Sequence, residues 1–171
     1  WSTLGGEGRL FELELASGEP LLRASARFDF GGVPARYVKI VPAEDDAPGR
    51  RYGLSEVRLY RQAGEVRAAG DLIPAAAVRA GSEAPDAPAL HAANHYGMSG
   101  PGAAEQKHGN APDTMWRTAA GADAADSWIE FDLGGTYPLG EMRVWNYNAE
   151  GDTENGIRWA NVKFSLDGVS W

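Results

Sequence analysis

The chain has 171 residues, of which 43% are hydrophobic, with a net charge of −8 and no cysteine. That length fits one domain with a real core, and the missing cysteines exclude disulfides, thiolate metal sites and cysteine nucleophiles. The acidic balance opposes a phosphate-tracking or anionic-membrane surface, and no apolar run approaches the roughly 18 residues of a membrane-spanning helix.

Period-two alternation dominates the chain, and helical periodicity is scarce. Ala26-Arg27-Phe28-Asp29-Phe30 alternates and stops at Gly31-Gly32. Arg36 to Val41 is rich in β-branched residues and ends at Pro42, and Glu56 to Tyr60 alternates cleanly. Residues 63–88 are rich in Ala, Gly and Pro; a strand from Ile73 to Arg79 is expected there, flanked by linker. Residues 94–112 have no regular period and are expected to be loop. Ser127 to Leu133 alternates and stops at Gly134-Gly135, and Leu139 to Trp145 and Ala160 to Ser165 complete the set. Short strands bounded by Gly, Pro and Asp predict an all-β sandwich.

Signals for catalysis are thin. Gly97-Met98-Ser99-Gly100 misses the nucleophile-elbow spacing by one residue and lacks the flanking strand and helix. His91 and His95 have the i, i+4 spacing of a helical metal pair, but no Glu lies between them and Gly97 follows closely. No carboxylates pair in an apolar sequence context, as a raised-pKa acid would require. The segment from Trp145 to Trp159 is different. It gathers amides, carboxylates, an arginine and aromatics, the groups that a sugar site uses for ring faces and paired hydroxyls. Trp116, Trp128, Trp145 and Trp159 are expected in the core, and Tyr52 is expected to be exposed.

Two segments carry a resemblance. Residues 35–60, ARYVKIVPAEDDAPGRRYGLSEVRLY, resemble the closing strands of a discoidin module, the coagulation factor V/VIII type C family. Residues 110–171, with DTMW, SWIEFDLGG, VWNYN and SLDGVSW, resemble its opening strands. The halves stand in permuted order, and overlaying Trp171 on Trp1 restores the family's continuity. The resemblance implies a galactose-binding-like jelly-roll β-sandwich, with residues 1–62 as the C-terminal half, 63–81 as linker and 82–171 as the N-terminal half. Either the halves pair within one chain as a circular permutant, or residues 1–62 complete a neighbouring chain; the second arrangement is favoured. The similarity also implies a non-catalytic, extracellular or cell-surface module that binds glycans, with a head-to-tail structural repeat of an adhesin or filament as the alternative.

Site residues follow from the same resemblance. The turn GNAPDTMW is similar to one that wraps a calcium ion, which implies Asn110, Asp113 and Thr114 as oxygen ligands, completed by Glu56 of GLSEV. His108 stands where the family commonly has an acid. Family 32 carbohydrate-binding modules use a His, an Arg, an Asn and an aromatic at one loop end. That implies Tyr52, His95, Asn148, Asn155 and Arg158 as glycan contacts here.

Overall fold

The alternating segments become strands, and the glycine pairs become bends within them. The computed structural model describes residues 9–24, 26–43, 50–62, 72–100 and 106–171. Ten strands are described: β1 Arg9–Glu12, β2 Ala26–Pro42, β3 Gly53–Arg61, β4 Leu72–Ile73, β5 Ala77–Ala80, β6 Met98–Ser99, β7 Lys107–His108, β8 Trp116–Arg117, β9 Ile129–Asn146 and β10 Trp159–Ser165. Among the described residues no helix is long and apolar enough to cross a membrane.

β2 and β9 are longer than their alternation suggests. Both were expected to stop at a Gly-Gly pair, yet both run on through it. Gly31 and Gly32 take φ of 65° and 85°, Gly134 takes 72°, and the β2–β9 register shifts between Asp29 and Val33 and again between Ala35 and Tyr37. Positive φ is open to glycine without Cβ strain, so the pair bends the ribbon while strand pairing continues on both sides. Two faces of one sandwich follow. On one, β1, β10, residues 37–40 of β2, residues 129–132 of β9 and β5 lie side by side. On the other, residues 26–29 of β2, residues 139–146 of β9, β3 and β4 do, with β8 on the start of β3. Val38, Ile40, Ile129, Phe131 and Val162 from the first face meet Phe30, Val57, Leu59, Met142 and Val144 from the second in one buried core.

The halves pair within one chain. β3 runs antiparallel to β9 from Leu54 opposite Asn146 to Arg61 opposite Leu139. This corrects the expectation that residues 1–62 complete a neighbouring chain, since β2 and β3 both pair β9 of the same polypeptide. Asparagine side chains fasten the junction. Asn146 donates to Glu14 O and Ile157 O at 2.7 and 2.8 Å and accepts from the N–H groups of Tyr147 and Ile157 at 2.9 and 3.0 Å. Trp1 and residues 63–71 of the expected linker lie outside the described residues. The rest of that linker is part of the sheet, because β4 pairs β3 and β5 pairs β9. The expected loop 94–112 also carries structure: β6 and β7 form a two-residue ladder.

Candidate functional site

Glu56, Arg58 and Tyr60 alternate along β3 and turn away from the core. Their cross-strand neighbours on β9 are Trp145, Arg143 and Glu141. Such a face reads as solvated, but here it is covered, and Glu56, Arg58, Tyr60 and Trp145 are all buried. Loop residues reach it: Arg58 bonds Gln106, and His95 approaches Glu56.

Glu56 is the centre. Its Oε1 lies 3.3 Å from Arg58 Nε and 3.4 Å from His95 Nε2, and its Oε2 accepts the His95 backbone N–H at 3.3 Å. Arg58 stacks on the Trp145 ring, 5.1 Å from its centre. A buried carboxylate loses hydration, and that loss outweighs the help of the guanidinium. Burial therefore pushes the Glu56 carboxyl up to about 7, against Arg58 and the His95 N–H. Burial, and then the nearby Arg58 charge, lower the pKa of His95. Both shifts favour the neutral forms, so the Glu56 carboxyl titrates near neutral pH beside an imidazole held neutral. This pairing in a buried context was not legible from the sequence.

His95 holds φ of 64°, rare for a residue with a Cβ. That backbone aims its half-exposed ring at Glu56 and leaves Tyr96 51% exposed beside it. The Tyr96 ring packs on His91, 4.8 Å between centres. The loop is braced from below. A Cβ on Gly97 would come within 2.7 Å of Thr114 Oγ1 and 2.8 Å of His108 Cε1. The His108 ring faces Gly109 O at 2.9 Å and Tyr96 O at 3.1 Å. Burial lowers the His108 pKa against the pull of these carbonyls and of the Thr114 backbone. Trp145 Nε1 and Tyr60 OH are buried and, among the described residues, have no hydrogen-bond partner.

Three of the five expected glycan residues, Tyr52, Asn148 and Asn155, are buried. Tyr52 was expected to be exposed and is in the core. Asn148 is buried, donating to Glu19 O and Gly109 O and accepting from the Gly18 N–H, so it clamps two loops. Asn155 is buried and turned to Asp152 O. Arg158 is exposed and its carbonyl accepts the Leu13 N–H, while His95 stands with Glu56. The amides that looked suited to sugar hydroxyls are used on backbone. Trp116 and Trp145 are buried as expected, whereas Trp159 is 39% exposed and Trp128 is half-buried.

The expected calcium ligands make contacts of their own. Asn110 donates to Gly18 O at 3.0 Å, Thr114 donates to Ala111 O at 2.7 Å, and Asp113 is exposed on the same short 3-10 turn. Glu56 is committed to Arg58 and His95, and a guanidinium against a carboxylate competes with any metal cation for it. Among the described residues, no three of His, Cys, Asp or Glu gather as a metal site. No protein-family model matches the chain, and neither a curated protein nor a solved structure matches it.

Proposed function

We propose that the chain is a non-catalytic carbohydrate-binding module acting outside the cell or at its surface, and that it takes its glycan at the His95–Tyr96 loop. The observation that carries this is the left-handed His95, which presents a half-exposed imidazole, backed by a buried carboxylate, beside a half-exposed tyrosine ring. Strain held at a loop tip marks a place where geometry is worth its cost. A sugar needs an aromatic face and a few fixed polar groups; Tyr96 offers the first, and His95 with Glu56 behind it offers the second. The discoidin resemblance, which implies a glycan-binding module with His95 among its contacts, supports the same reading.

A shallow, wet site of this kind gives a dissociation constant of about 0.1–1 mM. A glycan array at high protein concentration, followed by calorimetry on the hits, tests the proposal. His95→Ala and Tyr96→Ala abolish binding of the hits with the fold intact, whereas Arg158→Ala does not. An array without hits, or hits untouched by both variants, overturns it.

A further inference from the structure

The outer surface of the other face carries a row of charges that the net acidity of the chain conceals. Across β10, β2, β9 and β5, the register sets Lys163 opposite Lys39, Lys39 opposite Glu130, and Glu130 opposite Arg79. Glu130 is 1% exposed and takes both neighbours, Lys39 Nζ at 3.0 Å and Arg79 Nε at 2.7 Å. Two cations thus share one carboxylate, and Lys163 stands beside them with no contact to it among the described residues. Asp132, on the same surface, is taken by Arg36 through two contacts of 2.9 and 3.0 Å, and Glu12 lies toward the far edge, opposite Trp159. A local positive surplus on a chain of net charge −8 is a directed feature.

Aromatic rings flank that surplus. Lys39 Nζ stands 4.5 Å from the ring centre of Trp128 and 4.0 Å from that of Trp171. The Tyr37 ring lies against Gly168 in the turn that leads to Trp171. A sheet face turned to water ordinarily presents polar residues; this one holds an ammonium between two half-buried indoles. Cation–π contact fixes the charge in place, so little side-chain entropy remains to be lost on binding.

We propose that this face is a second ligand surface, separate from the His95–Tyr96 loop, and that its ligand is a polyuronate chain. Sugar rings stack on Trp171 and Trp128 while ring carboxylates meet Lys163, Lys39 and Arg79. The cations here already take planar carboxylates, those of Glu130 and Asp132. Nucleic acid fits less well: duplex DNA carries a charge every ~1.7 Å and would be repelled by the acidic remainder of the protein. A uronate chain, with one charge per ring, is sparser and offers stackable faces.

The test uses the intact chain with polygalacturonate oligomers in chelator-containing buffer, followed by tryptophan fluorescence and calorimetry. Binding is expected at low salt and weakens as salt rises. Trp171→Ala weakens it about tenfold, and Lys163→Gln and Arg79→Gln each weaken it by about two- to fivefold. These three are surface changes; Lys39→Gln adds a fourth, with circular dichroism confirming the fold of each. His95→Ala leaves the affinity unchanged, so this surface stands or falls independently of the first. Three outcomes overturn the proposal: no binding to polygalacturonate; binding lost in His95→Ala but kept in the four surface variants; or duplex DNA bound as tightly with no dependence on Trp171.

Discussion

His95 meets Glu56 twice, with its backbone N–H at 3.3 Å from Oε2 and its ring Nε2 at 3.4 Å from Oε1. The double contact explains how a histidine is kept in left-handed backbone, because releasing it would leave a buried carboxylate with one partner fewer. The same contact makes the loop depend on what braces it from the other side.

Gly97 is that brace. It takes φ of 83°, and a Cβ there would strike Thr114 and His108. Gly97→Ala is expected to destabilise the fold by about 2 kcal/mol, from strained backbone and displaced neighbours. It also weakens glycan binding by moving His95. Urea denaturation measures the first effect and calorimetry the second; wild-type values for both would remove the brace.

Asn146 makes four hydrogen bonds through one buried amide, one of them, to Glu14 O, joining the two halves of the sequence. Asn146→Ala leaves buried backbone groups unpaired, so stability falls by about 3 kcal/mol. Chemical denaturation checks this. A loss under about 1 kcal/mol would mean that water replaces the amide without cost.

Asp167 governs the acid limb of stability. The N–H groups of Ser170 and Val169, followed by the Ser165 hydroxyl, hold its carboxyl well below the usual range. The Arg36 hydrogen bond lowers the pKa of Asp132 in the same direction. A depressed folded pKa contributes stability that is fully present above the unfolded value, about 3.9. That contribution is lost as pH falls from there through the folded value. The melting temperature is therefore insensitive to these two groups above about pH 5 and drops below about pH 4. Asp167→Asn lowers it at pH 7 and flattens the acid limb in calorimetric scans. An unchanged limb would count against the turn.

Excess chelator is expected to leave the melting temperature unchanged within about 1 °C, because an ion bound only by the folded state would raise it by mass action. A drop of several degrees, with calcium found by elemental analysis, would restore Asn110, Asp113, Thr114 and Glu56 as its ligands.

Alternation made the strands legible, because a side chain's face follows from its parity. The clean alternation of Glu56 to Tyr60 matches the structure, where Val57 and Leu59 join the core and Glu56 and Arg58 do not. It could not show that the outward face is covered, since covering depends on a loop without any period. That is why Glu56 was read as a calcium ligand and not as a buried partner of Arg58 and His95, and why the Asn-rich segment drew the glycan reading instead. An asparagine sequence looks the same whether its amides meet a sugar or, as at Asn146 and Asn148, the backbone. The Gly-Gly pairs were legible as breaks but not as bends, because the difference lies in whether a partner strand bends alongside.

The most direct measurement is an amide NMR titration of the intact chain with a glycan hit. Binding at the proposed site shifts the resonances of His95, Tyr96 and Gly97 together with those of Glu56 and Arg58, and leaves Tyr52, Asn155 and Arg158 in place. Shifts confined to residues 148–158 and Tyr52, with the His95 loop unmoved, would contradict it.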